Sequence, residues 1–478
     1  MQALYQWSAT ELQQALGSGA ISATEVVESC LQQIHQENDR LRAFITLCPD
    51  QALAAAAVVD AARKRGEPLG PLAGIPVSVK DLTATAGVRT TLGSLLYQDW
   101  VPTEDELCVA RLKQAGAILI GKTNTPEFGL GAHVNNPLYG PTATPYDPSR
   151  TSGGSSGGAA VSVATGMCPL AQGTDMGGSS RTPASFCGVV GLRPAAGRIP
   201  RRHKPLQWDY LDTDGVLART VEDVALMLSV MAGREAHDPI SIATSWPCPT
   251  FDESVRDQVR GKVRVGFSVD LGITPVDAQV QAVFEQAMSQ MMPLCQQMVP
   301  AHPDCTLAPA AFEPLRAGLL RYKQNHNYEQ YFDQLTPTVR WNVERGQHLT
   351  ALDFLTAAGH RDQIYRNFLS FFETYDILAT VSACVPPFPH DQPEVLRVNE
   401  TTLDNILDYL KITYTISLTG LPALSIPCGW TDSGLPIGLQ LVGPPQGETA
   451  LLQFAYLLQE DLNFRHRWPG VASPSPIA

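Results

Sequence analysis

The feature that most limits what this chain can fold into is the stretch of residues 70–200. It is rich in glycine, serine, threonine and proline, and short apolar runs interrupt it at 75–79 and 117–120. Apolar runs of this length, bounded by turn-forming residues, are typical of buried strands. Residues 159–165 follow a glycine-rich loop and have the pattern of a short helix. Strands that alternate with helices predict an α/β protein built on a sheet.

Helices are predicted before this stretch, and both helices and strands after it. Ser8 and Ser22 are each followed three residues later by glutamate, which is the capping-box pattern of a helix start, so residues 1–65 are predicted to be helical. We find no interdomain linker and therefore predict one domain over residues 1–478. The other predicted elements are a strand at 170–172 within the stretch, and, after it, helices at 220–231, 350–373 and 448–460 and strands at 263–267, 423–428 and 436–442. The rest of 200–410 is expected to be irregular.

Charge and cysteine content limit the class of function. The net charge of −13 argues against a nucleic-acid partner and against a membrane surface, because both attract an excess of lysine and arginine. No apolar run approaches the roughly 18 residues of a transmembrane helix. Ten cysteines occur without a CxxC pair, and no secretory signal is visible, which favours reduced thiols in the cytoplasm. No cysteine and histidine spacing suits a structural zinc site.

Two familiar sequence motifs occur in this chain, but the predicted secondary structure around each differs from what the motif requires. Residues 116–123, from Gly116 to Thr123, fit the P-loop string, but the predicted strand lies between its two glycines and not before the first. Residues 153–157 fit the nucleophile elbow of α/β-hydrolases, which requires an apolar strand immediately before it. Residues 145–152 are polar and contain Pro148, so we expect no strand there. Neither nucleotide binding nor the α/β-hydrolase fold is therefore predicted.

Several segments taken together resemble the amidase-signature family, from about residue 8 to about residue 470. The resemblance implies an α/β fold with a large, mixed, twisted β-sheet covered by helices on both faces. It implies a signature core at 70–200, a variable pocket-forming region at 200–410, and C-terminal strands and a helix at 411–478. The segments that carry it are Val77-Ser-Val-Lys-Asp81, Gly121-Lys-Thr-Asn124, Ser152-Gly-Gly-Ser-Ser-Gly-Gly158, Gly173-Thr-Asp-Met-Gly-Gly-Ser-Ser-Arg-Thr-Pro183, Phe186-Cys-Gly-Val-Val-Gly-Leu-Arg-Pro194 and Gly434-Leu-Pro-Ile-Gly-Leu-Gln-Leu-Val-Gly443.

By that resemblance Lys80, Ser155 and Ser179 form a catalytic triad with Ser179 as the nucleophile. The resemblance also implies a cis peptide bond before Ser155, and it aligns Gly129 with a pocket-lining position. The residue after the nucleophile is usually apolar in the family, and here it is Ser180. The Gly-Gly-Ser position favours Ser179 over Ser180 as the nucleophile.

The chemistry explains why such a site needs a buried lysine. A serine hydroxyl becomes a good nucleophile when a base takes its proton. An exposed lysine has a pKa of about 10.4, and burial can lower that pKa by about 3–5 units, so we expect Lys80 to be buried and neutral. Asp81 follows on the strand and points to the opposite face, so it need not pair with Lys80.

An oxyanion would need main-chain donors close to the nucleophile. The amides of Met176, Gly177, Gly178 and Ser179 are the candidates, because glycine lets a substrate approach closely. For Asp175 and Arg181, pairing or turn capping beside the nucleophile is favoured over catalysis. Asp175 and Arg181 are therefore expected to hold the turn in shape, and the triad is expected to transfer the protons.

The predicted function is hydrolysis of a carboxylic amide to a carboxylate and an amine or ammonia, without a cofactor or metal. The alternative is a glutamine-dependent amidotransferase subunit that delivers ammonia to a partner, although the segment from Thr123 to Gly129 is more similar to stand-alone amidases. A third alternative is an inactive binding protein on the same fold. The resemblance leaves open a homodimer.

The pocket walls are expected to come partly from residues 200–410. Five aromatic residues there are assigned either to the core or to the pocket: Tyr322, Tyr328, Tyr331, Phe332 and Trp341.

Overall fold

The computed structural model describes residues 3–392 and 394–470. The strands are β1 (Phe44–Leu47), β2 (Pro76–Lys80), β3 (Ile118–Thr123), β4 (Ala143–Thr144), β5 (Asp147–Thr151), β6 (Leu170–Asp175), β7 (Val190–Arg193), β8 (Thr213–Ala218), β9 (Arg264–Phe267), β10 (Gln297–Pro300), β11 (Ile377–Val381), β12 (Arg397–Val398), β13 (Thr401–Thr402), β14 (Ala423–Trp430) and β15 (Pro436–Val442). The helices are α1 (Ala9–Ser18), α2 (Ala23–Leu41), α3 (Pro49–Lys64), α4 (Leu107–Gln114), α5 (Gly157–Ala164), α6 (Arg181–Phe186), α7 (Val221–Met231), α8 (Glu253–Val259), α9 (Ala278–Met291), α10 (Ala308–Tyr331), α11 (Pro337–Glu344), α12 (Ala351–Thr374), α13 (Lys411–Thr419) and α14 (Glu448–Asp461).

Eleven of these strands form one sheet, in the order β1-β3-β2-β6-β8-β7-β14-β15-β11-β9-β10. The pairs β3–β2, β2–β6, β11–β9 and β9–β10 are parallel, and the others are antiparallel. The sheet therefore takes strands from near the start of the chain to near its end. The predicted α/β class with a large mixed sheet is confirmed.

The first helices begin where the sequence predicts. Ser8 and Ser22 each cap a helix by accepting a hydrogen bond from the main-chain amide of Glu11 or Glu25. The side chain of that glutamate accepts one from the main-chain amide of the serine, which completes a capping box. The buried carboxylate of Asp223 accepts hydrogen bonds from the first two amides of α1, each at 2.9 Å. Local capping therefore starts these helices, and a distant carboxylate fixes α1 against α7.

The sheet brings the segments rich in glycine and serine to one place. Strands β2 and β6 are parallel neighbours, with Val79 opposite Gln172. Because the carboxyl ends of parallel strands meet at the same edge, Lys80 at the end of β2 lies near Thr174 and the turn after β6. Helix α5 packs against β2 and β6, and it begins directly after Ser155 and Ser156. The chain segments that carry Lys80, Ser155 and Ser179 thus meet at this edge.

Three expectations about local structure are wrong. Residues 1–65, predicted to be helical, also contain the strand β1, which pairs with β3 in the large sheet. Residues 145–152 do contain a strand, β5, which pairs with β4 in a separate two-stranded sheet and not in the main sheet. The parts of 200–410 expected to be irregular contain β8 and β11, both inside the large sheet, and the helix α9. The misses have different causes. Strand β5 forms a local hairpin with β4, and β1, β8 and β11 are ordered by pairing with strands that lie far away in the sequence.

Within the described residues, no helix combines the length and apolar character that crossing a membrane requires.

Candidate active site

Lys80 is the last residue of β2 and is fully buried. Its Nζ donates hydrogen bonds to the Oγ atoms of Ser155 and Ser156, at 2.7 and 2.9 Å. A third hydrogen bond, of 2.9 Å, reaches Oγ1 of Thr174. All three partners are uncharged, so hydroxyl groups hold this amine in place of an ion pair.

Burial controls the charge of Lys80. Removal of the amine from water penalises its charged form and lowers the pKa of Lys80 to about 7. The carboxylates of Asp212, Asp175 and Asp214 favour the charged form and partly oppose this shift of the pKa. A large share of the molecules therefore carries a neutral amine at position 80 near neutral pH, and a neutral amine can accept a proton.

Ser155 adjoins both Lys80 and a cleft. The Gly154–Ser155 peptide bond is cis, as the resemblance implies. A β-carbon on Gly154 would lie 2.9 Å from main-chain atoms of the Ala132–His133 peptide, so only glycine fits there. A β-carbon on Gly129 would lie 3.5 Å from the Ser155 Oγ. Because Gly129 and Gly154 both line the cleft, the buried Ser155 hydroxyl lies directly behind its wall.

Ser179 lies in the turn between β6 and α6 and is partly exposed at the wall of the same cleft. Its carbonyl oxygen accepts a hydrogen bond of 3.1 Å from the amide of Ser156, which ties this turn to the Ser155 segment. The Thr413 hydroxyl donates a 2.7 Å hydrogen bond to the carbonyl of Gly177. Gly178 has a φ of +116°, and a β-carbon there would lie 2.4 Å from the Thr413 Oγ1. The turn therefore requires glycine at position 178.

A buried ion pair holds this turn from behind. The carboxylate of Asp175 pairs with the guanidinium of Arg181 at 2.7 Å and accepts hydrogen bonds from the amides of Gly178 and Ser180. The guanidinium of Arg181 holds the pKa of Asp175 well below its usual range, against the effect of burial. The expectation that Asp175 and Arg181 pair and cap the turn is confirmed. Ser180 is buried, and its hydroxyl donates to the carbonyl of Thr174 at 3.3 Å.

The amides of the turn fall into two groups. Those of Gly178 and Ser180 donate to Asp175. Among the described residues, no group accepts a hydrogen bond from the amides of Met176, Gly177 or Ser179. These three amides are available to a ligand in the cleft, whereas the amide of Gly178 is already used.

The cleft has mostly apolar walls, and helices far along the chain supply part of them. Phe312 of α10 stacks on Tyr414 of α13, with ring centroids 4.1 Å apart and planes 4° apart. The polar side chains of the wall other than Ser179 are Arg316, Thr338 and Asn342. The lining residues are Gly129, Leu130, Gly131, Ala132, Gly154, Met176, Gly177, Ser179, Phe312, Arg316, Thr338, Asn342, Ile406, Leu407 and Leu410.

The aromatic residues proposed from the sequence do not line this cleft. Tyr322, Tyr331 and Phe332 are 60%, 42% and 37% exposed, so they do not belong to the core either, whereas Tyr328 and Trp341 are partly buried and pack against buried clusters. Sequence analysis missed Phe312 and Arg316, which lie earlier on the same helix. Their spacing of four residues places them on one helical face, and this spacing is the sequence feature that could have grouped them. Nothing in the sequence indicates that this face covers Ser179.

The P-loop string forms no phosphate-binding loop, as expected. Gly121 and Lys122 lie inside β3, and Lys122 is fully buried. Its Nζ donates to the carbonyl of Thr83 and to the hydroxyls of Thr85 and Thr90, the latter two at 2.8 and 3.0 Å. This lysine therefore holds the loop after β2 and is not free to bind a phosphate.

Known proteins resemble this chain over nearly its whole length. A glutamyl-tRNA(Gln) amidotransferase subunit of Moorella thermoacetica is 37% identical over 499 residues, which cover 98% of this chain and all of that protein. A bacterial aryl acylamidase of the amidase signature enzymes has a TM-score of 0.89 at 25% identity, covering 96% of each chain. A 6-aminohexanoate cyclic dimer hydrolase has a TM-score of 0.84 at 27% identity, covering 98% of this chain and 99% of the other.

The amidase family matches residues 25–452, which include all three segments that meet at the cleft. This match covers far more than half of the chain, and the aryl acylamidase of the same family aligns with 96% of it. The chain therefore belongs to the amidase-signature family.

Proposed function

We propose that this chain hydrolyses a carboxylic amide through an acyl-enzyme on Ser179, with Ser155 and Lys80 relaying protons. The Ser179 Oγ attacks the carbonyl carbon of the amide and forms a carbon–oxygen bond. Ser155 takes the proton of Ser179 and gives its own proton to the neutral amine of Lys80. The same relay runs in reverse to protonate the leaving nitrogen when the carbon–nitrogen bond breaks.

Water completes the proposed cycle. A water molecule attacks the acyl carbon, its proton passes into the relay, and the Ser179 oxygen leaves with a proton from Ser155. The products are a carboxylate and an amine or ammonia. In both halves of the reaction the carbonyl oxygen becomes negatively charged, and we assign the amides of Met176, Gly177 and Ser179 as its donors. Gly178, whose amide donates to Asp175, is assigned to the shape of the turn.

The observation that carries this proposal is the hydrogen bond of 2.7 Å between the Lys80 Nζ and the Ser155 Oγ. A buried lysine bound only to hydroxyls, with a pKa lowered to about 7 by desolvation, is suited to exchange protons with a serine. Lys122 is buried in the same way and holds a loop, so burial alone does not distinguish an enzyme from an inactive scaffold. The distinction rests on the hydrogen bond from Lys80 to Ser155, whose hydroxyl lies behind the cleft wall.

Two serine variants test the proposal. We expect Ser179→Ala to lower amide turnover by about 10⁴-fold or more, because it removes the nucleophile. Ser180→Ala is the matched control, since the Ser180 hydroxyl makes one long hydrogen bond of 3.3 Å at the back of the turn. A screen of aryl, aliphatic and cyclic amides supplies the substrate. A fluorophosphonate should label the wild type at Ser179 and leave the Ser179→Ala variant unlabelled, and a folded protein without the label at Ser179 would refute the acyl-enzyme.

The relatives support a second candidate, a protein that hydrolyses glutamine and delivers ammonia to a partner. Subunits of glutamyl-tRNA(Gln) amidotransferase match this chain at 31–37% identity over almost all of its length. This candidate predicts glutaminase activity of the purified chain and co-purification with further subunits. Steady turnover of simple amides by the isolated chain, with no glutaminase activity, would favour the stand-alone amidase.

A further inference from the structure

The cleft beside Ser179 contains a positive charge that the protein leaves unmatched. Arg316 is the charged residue among the described residues that line the cleft, and no aspartate or glutamate is part of that lining. The nearest acid along the helix, Glu313, pairs with Arg345 on the outer side. Among the described residues, no carboxylate lies within ion-pair distance of the Arg316 guanidinium.

A neutral amide orients this guanidinium without compensating its charge. Arg316 donates one hydrogen bond to the Oδ1 of Asn342. The orientation of Asn342 is fixed from its other end, where Nδ2 donates a 2.8 Å hydrogen bond to the carbonyl of Thr338. A guanidinium has five donors in one plane, so the others remain available to a ligand in the cleft.

The surroundings make this arrangement costly unless a ligand pairs with it. The cleft that Arg316 lines has mostly apolar walls, with Phe312, Leu407 and Leu410 among them. Burial of Arg316 lowers its pKa to about 10, the like charge of Arg345 acts in the same direction, and the charge of Glu313 partly opposes both effects. The guanidinium therefore stays charged at neutral pH. A planar cation with free donors in an apolar wall fits a carboxylate, which accepts two parallel hydrogen bonds from it.

We propose that Arg316 binds a carboxylate carried by the substrate, so that the preferred substrate is the half-amide of a dicarboxylic acid. This inference rests on the proposed amide hydrolysis, and it assigns Arg316 to substrate specificity and not to proton transfer. It also predicts how glutamine is treated. Glutamine carries an ammonium group beside its carboxylate, and the described lining offers no acid to that ammonium. Glutaramate, which is glutamine without the amino group, should therefore be the better substrate.

A matched series of amides tests the inference. The half-amides of dicarboxylic acids of three to six carbons are compared with methyl-terminated amides of the same length, and glutaramate with glutamine. At the best length we expect the half-amide to have a kcat/KM about 10- to 100-fold higher than its neutral counterpart, with most of the difference in KM. Arg316→Met should lower kcat/KM for the half-amides until it equals that for the neutral amides measured with the same variant.

Two further variants separate charge from packing. Asn342→Asp places a carboxylate on Arg316 from within the protein, so it too should remove the preference for half-amides. Arg345→Lys changes a neighbouring cation outside the lining, keeps a positive charge beside Glu313, and should retain the preference. A wild type that treats half-amides and neutral amides alike at every length, or an Arg316→Met variant that keeps the preference, would overturn the inference.

The same compounds give a second measurement that does not depend on turnover. Half-amides should protect Ser179 from fluorophosphonate labelling in the wild type at lower concentration than neutral amides do, and Arg316→Met should abolish that difference. Equal protection would overturn the role of Arg316, while labelling at Ser179 would leave the proposed acyl-enzyme standing. Absence of labelling at Ser179 altogether would refute the proposed function itself.

Discussion

Two fully buried lysines on adjacent strands differ in what they contact. Lys80 ends β2 and Lys122 lies in β3, and the two strands are parallel, with Val79 opposite Lys122 and Lys80 opposite Thr123. The two lysines are thus offset by one residue, which directs their side chains to opposite faces of the sheet. Each amine donates three hydrogen bonds within the protein.

Desolvation acts on both amines, and their partners differ. It lowers the pKa of Lys80 to about 7 and that of Lys122 to about 8, where the charge of Asp81 opposes the shift. Lys122 donates to a main-chain carbonyl and to two threonines of one loop, whereas Lys80 donates to Ser155, whose hydroxyl lies behind the cleft wall. Both lysines therefore have a lowered pKa, but only the hydrogen bonds of Lys80 include a hydroxyl that lies behind the cleft wall, that of Ser155.

The largest expected effect separates the two lysines by activity. Lys80→Met removes the final proton acceptor of the proposed relay, so we expect kcat/KM for the amide substrate to fall by about 10²- to 10⁴-fold. The rate of fluorophosphonate labelling at Ser179 should fall with it. Full activity of this variant would remove lysine from the mechanism.

The matched variant Lys122→Met should act on stability instead. It leaves the carbonyl of Thr83 and the hydroxyls of Thr85 and Thr90 without their donor, which we expect to cost about 1–3 kcal/mol of unfolding free energy. Thermal denaturation should show a lower midpoint, while kcat/KM stays within a few-fold of the wild type. Equal losses of activity in the two variants would contradict the distinction between the lysines.

The pH dependence of activity gives the next largest effect. Lys80 accepts a proton only as the neutral amine, and its pKa is lowered to about 7, so kcat/KM should fall about tenfold per pH unit below pH 7 and level off above pH 8. Lys122→Met should keep this profile. A flat profile from pH 5 to pH 9, or activity that falls as the pH rises through 7, would contradict the role of Lys80 as a base.

Local sequence signals predicted the part of the site on which this comparison rests. The apolar run before Lys80 indicates a buried strand end, and the positions of Asp81 and Lys80 on one strand predict their opposite faces. Asp81 indeed faces away from Lys80 and accepts hydrogen bonds from Thr91. These features depend on neighbouring residues, which a sequence displays directly.

The cleft walls depend on packing between distant segments, which the sequence does not display. Arg316 and Asn342 lie on α10 and α11, far along the chain from Ser179, and Leu410 lies further still. The placement of β8 between β6 and β7 is equally invisible, because strand order follows from tertiary packing and not from any local pattern. Family resemblance located the proposed catalytic groups, and only the fold located the residues that we assign to substrate selection.

The smallest expected effect tests how the hydroxyls around each amine set its charge. Thr174→Val keeps the side-chain shape and removes one of the three acceptors of the Lys80 Nζ, which lies 2.9 Å from Oγ1 of Thr174. Loss of an acceptor disfavours the ammonium form, so the pKa of Lys80 should fall and the acid limb of the pH profile should move down by about one unit. The midpoint of that limb is read from a plot of kcat/KM against pH and does not depend on the height of the plateau.

Thr85→Val makes the same change at Lys122 and should leave the acid limb in place. A limb that moves equally in both variants would mean that the profile reports the electrostatics of the whole sheet edge, and one that moves up with Thr174→Val would mean that this threonine donates to the neutral amine.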